Sequence, residues 1–170
     1  MEAHLILGTN YRISELNAAV GIAQLRKLDM MIAKQRQTKK TIKDALSQSD
    51  KITFRHIPDP NGDTATFLSF FLPDESAALT AVKKFGEAGV DGCFNWYANN
   101  WHYIRHWDHL KQWRTAAELP SKSVEHCPDY QNLTLPQSDD IMRRAISMQI
   151  KLAWTEEQIE RRIAKMVDII

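Results

Sequence analysis

The stretch from Ser14 to Leu46 constrains this chain more than any other. It contains no proline and only one glycine, Gly21, and Ser14 is a residue type that caps helices by accepting a hydrogen bond from a free backbone amide. The pattern predicts one long helix. Its first half is apolar on most sides, through Leu16, Ala18, Ala19, Val20, Ile22, Ala23 and Leu25, and a helix apolar all round is a buried helix. In its second half Leu28, Ile32, Ile42 and Leu46 face one way, while Lys34, Arg36, Lys39, Lys40 and Lys43 lie elsewhere, as on a solvated face. An element that starts in a core and ends on a surface suits a connection between two domains or subunits. A single domain of 170 residues rarely needs one.

Shorter elements follow. Ile52, Phe54 and His56 alternate with Thr53, Arg55 and Ile57, and Phe67 to Leu72 is an apolar run ended by Pro73, which gives two strands. Between them, Asp59-Pro60-Asn61-Gly62-Asp63 is turn chemistry. Asp74 caps a helix with Ala78, Leu79, Val82 and Phe85 on one face, closed by Gly89, and Val90 to Tyr97 forms a third strand. Ala98 to Gln137 is rich in Trp, His, Pro and Asn. It predicts a long ordered loop with a short helix over 106–113. Ser138 caps another helix, Ser147 to Leu152 is a short strand, and Thr155-Glu156-Glu157-Gln158 is a capping box opening the last helix, with Ile159, Ile163, Met166, Val167 and Ile170 as its stripe. The β-β-α-β order implies an α+β fold with a small, mainly antiparallel sheet and helices on one side.

The net charge of +1 gives no electrostatic case for nucleic acid or an acidic membrane surface. No apolar run reaches the ~20 residues of a membrane-spanning helix, and the N-terminus lacks the basic and apolar regions of a secretory signal. Cys93 and Cys127 read as reduced thiols, which suits a cytoplasmic protein.

Gly8-Thr9-Asn10-Tyr11-Arg12-Ile13-Ser14-Glu15-Leu16-Asn17-Ala18-Ala19-Val20-Gly21-Ile22-Ala23-Gln24-Leu25 resembles the signature of the DegT/DnrJ/StrS sugar aminotransferases, G-x-N-[YF]-R-[ML] followed by an acidic residue and A-A-x-G-x-x-Q-L. The resemblance extends over essentially the whole chain. It includes an Ile146-Ser147-Met148 edge, then Leu152-Ala153-Trp154-Thr155 and a final amphipathic helix. It implies the C-terminal part of a fold-type-I enzyme. Residues 1–13 would end the large domain, 14–47 would form an interdomain helix, and 48–170 the small domain. It also implies a homodimer, pyridoxal phosphate held on a lysine as a Schiff base, and amino transfer from glutamate to a keto-sugar. By the same resemblance, Asn10 reaches the cofactor phosphate of the other subunit. Arg12, Trp96, Tyr97, Asn100 and His102 are the implied substrate contacts. The family's lysine lies well upstream of the Asn-Tyr-Arg motif, and only nine residues precede Asn10, so the Schiff-base lysine is expected outside these residues and the chain alone is expected to be inactive. Where commoner members carry a histidine-proline segment, this chain has Val90-Asp91-Gly92-Cys93-Phe94-Asn95-Trp96-Tyr97-Ala98-Asn99-Asn100-Trp101-His102-Tyr103. That departure resembles the branch that makes 8-amino-3,8-dideoxy-octulosonate for lipopolysaccharide from its 8-keto precursor.

Blander readings stand beside these. Arg12 and Asn10 also suit a salt bridge and a cap. The dense aromatics Trp96, Trp101, Trp107 and Trp113 suit a satellite core as well as stacking on a sugar ring. His102, His106 and His109, with Cys127, have zinc-like spacing but read more readily as packing groups, so no metal is expected. A non-catalytic sugar-binding or dimerisation module of the same fold is the rival assignment.

Overall fold

The computed structural model describes residues 12–98, 103–116 and 129–170. Helix α1, Glu15–Leu25, is capped by the Ser14 hydroxyl accepting from the Asn17 amide. Helix α2, Leu28–Leu46, follows. The predicted single helix is therefore broken at Arg26 and Lys27. There Lys27 sits at φ −102°, ψ −4°, and its amide bonds back three residues to Gln24. Residues 22–30 are exposed on both sides of the break, and the first buried residue of α2 is Thr38. No residue of α1 is buried, whereas α2 buries Ile42 and Leu46. The apolar first half expected in a core is thus exposed within this chain, with Leu16 at 76% and Leu25 at 67% exposure.

Strands β1 (Thr53–Phe54) and β2 (Phe67–Phe71) are followed by α3 (Glu75–Glu87), β3 (Cys93–Asn95), a 3₁₀ turn over Ile104–His106 and the short α4 (Asp108–Lys111). Helix α5 (Pro136–Arg144), β4 (Ala145–Gln149) and α6 (Glu156–Ile169) complete the described chain. All strand pairs are antiparallel, in the order β1-β2-β4-β3. Phe70 pairs with Ile146 and Leu68 with Met148. These four point into one core with Ile42 and Leu46 of α2, Ala78, Ala81 and Phe85 of α3, and Met166 of α6. The alternate residues Phe67, Ser69, Phe71, Ala145 and Ser147 turn to the opposite face, because side chains alternate along a strand.

Local chemistry sets several boundaries. Asp74 accepts from the Ala77 amide to start α3. Gly89, at φ +75°, ends it with two back-bonds, Gly89 amide to Gly86 carbonyl and Val90 amide to Phe85 carbonyl. Both halves of the Thr155/Gln158 capping box form. Four expectations are corrected. Leu79 faces solvent rather than the core. Helix α5 starts at Pro136, whose missing amide is harmless in a first turn, and not at a Ser138 cap. The last strand begins at Ala145. It also lies inside the sheet rather than at an edge, and Ser147 is tolerated there because its hydroxyl finds partners.

A charged cluster around Asp91 fixes the periphery beside α6. Arg162 is buried, stacks 4.1 Å over Trp154, and donates to the Asp91 carboxylate and, at 2.7 Å, to the Asp91 carbonyl. Hydrogen bonds from Lys151, and then from Arg162, hold the Asp91 carboxyl below its ordinary value of 3.8. A carboxyl whose folded value is depressed stabilises the fold above its unfolded value and loses that contribution as pH falls through the folded one. The melting temperature should therefore drop as pH falls below about 4, and Asp91→Asn should flatten this part of the profile in thermal melts. An unchanged profile in the variant would remove Asp91 from the account.

Candidate functional site

The site is built on the end of β3. Asn95 is buried, and its amide donates to the carbonyls of Arg143 (2.8 Å) and Ala145 (2.9 Å), where α5 passes into β4. Its side-chain oxygen accepts from the Ala98 amide at 3.0 Å. One asparagine thus satisfies buried backbone groups on two segments and turns the chain sharply after the strand. Trp96 and Tyr97 leave that turn into different surroundings.

Trp96 lies on the face of the sheet away from the helical core. Its indole N–H donates to Ser147 Oγ at 2.6 Å, and its ring meets Phe94 edge-on at 4.7 Å and Phe67 at 6.5 Å. Here the sheet floor of Phe67, Ser69 and Phe71, walled by Trp96 and Met142, forms an open cavity of about 550 Å³. Arg55 and Asp63 stand at its margin. Tyr97 instead packs against Tyr103 (5.9 Å) and His106 (6.1 Å), beneath the Arg143 guanidinium at 4.7 Å. Arg143 donates to the Tyr97 hydroxyl at 3.0 Å, and a His106 ring nitrogen lies 2.9 Å from the Tyr97 carbonyl. Tyr103 and Arg105 both donate to Asp139 in the first turn of α5, the Arg105 Nε bond measuring 3.0 Å. The aromatic segment is thereby tied to α5 by a buried carboxylate.

A second framework shapes the margin. The turn after β1 is held to α2 by Arg36 Nε donating to the Asp63 carbonyl (2.8 Å) and Lys39 Nζ to the Asp63 carboxylate (2.5 Å). Lys39, expected on a solvated helix face, is 7% exposed. Burial raises the Asp63 pKa, but the bonds from Lys39 and the Ala65 amide outweigh it and leave the group below its ordinary value. Ala65 itself is buried at φ +59°, a left-handed conformation that costs about 1 kcal/mol for a residue with a Cβ.

The substrate residues expected from sequence are only partly brought together. Trp96 and Tyr97 adjoin, but in separate packing groups. Arg12 is exposed just before the α1 cap. Asn10, Asn100 and His102 lie outside the described residues, as do Cys127 and Trp101. Trp107 packs beside His109 at 6.1 Å and Trp113 beside Tyr130 at 5.6 Å. Among the described residues no three His, Cys, Asp or Glu side chains cluster as a metal site. No described helix is long and apolar enough to cross a membrane. Asn95, Ser147 and Asp139 carry the site's framework and were missed by sequence reasoning, since each acts through partners distant in the chain. Cys93 is half-buried, and burial pushes its thiol up to about 12. In a Cys127→Ser background it should react with iodoacetamide only as fast as the protein opens, and rapid labelling of the folded protein would contradict this.

The sequence profile of the DegT/DnrJ/EryC1/StrS aminotransferase family matches residues 1–167. The chain belongs to that family. Its members are pyridoxal-phosphate-dependent sugar aminotransferases. Solved structures agree in fold. 3-Amino-5-hydroxybenzoic acid synthase matches with a TM-score of 0.62 at 20% identity, covering 96% of this chain and 40% of that one. PseC of Helicobacter pylori, an aminotransferase of pseudoaminic acid biosynthesis, gives 0.62 at 13%, covering 96% and 39%. The sugar aminotransferase CalS13 of Micromonospora echinospora gives 0.59 at 15%, covering 95% and 37%. The chain thus spans about two-fifths of the length of these family structures.

The family cofactor requires a lysine amine free to form a Schiff base. Among the described residues, buried Lys39 is committed to Asp63, while Lys51 and Lys165 bond the carbonyls of Ile170 and Ala88. Lys151 is bound to Asp91, and no lysine lines the cavity. None of these four lysines presents an uncommitted amine for the cofactor's covalent attachment.

Proposed function

We propose that this chain is the C-terminal portion of a sugar transaminase that moves an amino group from glutamate to a keto-sugar, 8-keto-3,8-dideoxy-octulosonate of lipopolysaccharide synthesis. In this reading residues 1–13 close the large domain, 14–47 bridge the domains, and 48–170 form the small domain of a homodimer. Asn10 serves the cofactor phosphate across the dimer. Arg12, Trp96, Tyr97, Asn100 and His102 serve the substrate. The chain alone is inactive, because the lysine that holds pyridoxal phosphate belongs to the large domain.

The observation that carries the reading is the bare apolar surface of α1. Leu16, Val20, Ile22 and Leu25 are exposed on a helix with nothing buried, and Ile13 just before its cap is exposed too, while residues from α2 onward close their own core. Such a surface marks a place where another protein surface packs. The Asn95 clamp supports a fixed placement of Trp96 and Tyr97.

The test is amino transfer by the full-length enzyme that contains this chain, followed as 2-oxoglutarate formed from glutamate. Turnover with the keto-octulosonate is expected, and Trp96→Ala and Tyr97→Phe should each raise KM at least several-fold. An enzyme that accepts only nucleotide-linked keto-sugars would contradict the substrate assignment.

A further inference from the structure

We infer that Asp139 is a positioning residue: through Tyr103, Arg105 and the 3₁₀ turn beside them, it sets where the Tyr97 ring stands. The effect on the reaction rests on the transaminase reading, in which Tyr97 contacts the acceptor sugar, whereas the placement of the ring involves this chain alone.

Tyr97 is gripped from two sides. From α5, the Arg143 guanidinium lies 4.7 Å from its ring centroid and donates to its hydroxyl at 3.0 Å. From the 3₁₀ turn and its cap, His106 and Tyr103 meet the ring at 6.1 and 5.9 Å. Side chains three apart eclipse in a 3₁₀ turn, so these two stand together, 6.1 Å from each other, and present one aromatic surface to Tyr97. His106 Nε2 also lies 2.9 Å from the Tyr97 carbonyl. A carbonyl only accepts, so this nitrogen carries the proton and donates. The turn therefore holds both the ring and the backbone of Tyr97.

The turn itself is three residues long and buries none of them, so its place is set by anchors. Buried Tyr103 and Arg105 supply them by donating to Asp139. The Tyr103 hydroxyl and Arg105 Nε share Oδ1, and a second Arg105 nitrogen takes Oδ2. A carboxylate offers these donors two acceptor oxygens, whereas an asparagine would turn its own N–H groups toward one of them. Asp139 and Arg143 lie four residues apart on α5, hence on one face. A single helix face thus fixes both sides of the grip on Tyr97.

The experiment labels the full chain with 3-fluorotyrosine and assigns the Tyr97 fluorine resonance by its loss in Tyr97→Phe. Asp139→Asn should move or broaden that resonance while thermal melts show the fold retained. Tyr103→Phe and Arg105→Gln each remove one donor from an intact carboxylate and should act in the same sense, which keeps the test decisive if Asp139→Asn does not fold. In the full-length enzyme that contains this chain, Asp139→Asn should raise KM for the keto-sugar on the order of tenfold and leave the glutamate half-reaction unchanged. In a Tyr97→Ala background the same change should leave KM where Tyr97→Ala put it, because the carboxylate acts through that ring. A Tyr97 resonance unmoved in every variant that folds overturns the inference. So does an Asp139→Asn effect on KM that persists undiminished without the Tyr97 ring. A normal KM in Tyr97→Ala would instead remove Tyr97 from the substrate contacts, and the fluorine resonance would still decide whether Asp139 places the ring.

Discussion

Asp63→Ala is expected to destabilise the protein by about 3–5 kcal/mol, the cost of leaving one member of a buried ion pair without its partner. Lys39 is the more buried of the two, its side chain 9% exposed against 19% for Asp63. Removing the carboxylate leaves the ammonium with neither partner nor full hydration. It also frees the Ala65 amide, which Asp63 accepts at 3.1 Å, at the point where the backbone is held in the left-handed region. The reverse change is milder. In Lys39→Met the carboxylate keeps the Ala65 amide and some solvent, and the methionine keeps most of the apolar stem packing, so a loss of about 1–2 kcal/mol is expected. Urea denaturation midpoints of the two variants measure the asymmetry, and a Lys39→Met variant less stable than Asp63→Ala would show that the ion pair is not organised this way.

The second large effect concerns association. If α1 is a surface built to be covered, the chain in isolation should self-associate through it. Leu16→Ser with Leu25→Ser should then weaken association on the order of a hundredfold or more, at about 1.5–3 kcal/mol for each leucine withdrawn from an interface. Folding stability should change by only about 0.5 kcal/mol, because neither residue touches the core. Sedimentation equilibrium and thermal melts on the same samples separate the two quantities. A double variant that melts far below the parent would mean that α1 belongs to this chain's own core.

What could be seen in the sequence was whatever is decided locally. Ser14, Asp74 and Thr155 announce their helices because a cap and its amide lie three residues apart, and Gly89 announces an end through its left-handed turn. The family signature was likewise contiguous. Pairings across long separations were hidden. Lys39 looks like one more charge on a basic face until the turn bearing Asp63 is folded against it. Ser147 looks like an edge residue, yet it sits inside the sheet because Ser69, 78 residues away, and Trp96, 51 away, meet its hydroxyl. Asn95 gives no sign of its clamp on α5 and β4. The break at Arg26 and Lys27 has neither glycine nor proline to mark it. Trp96 and Tyr97 show the same limit in the candidate site. They adjoin in the chain, but one joins the sheet face and the other the α5 cluster.

In the proposed reading these residues form the part of a transaminase that lacks the cofactor-bearing amine. Adding pyridoxal phosphate to the purified chain, recording aldimine absorbance and then trapping with borohydride tests it directly. The expected result is the spectrum of free cofactor and no preferred site of labelling by peptide mass analysis. A stoichiometric adduct on a single lysine would contradict it.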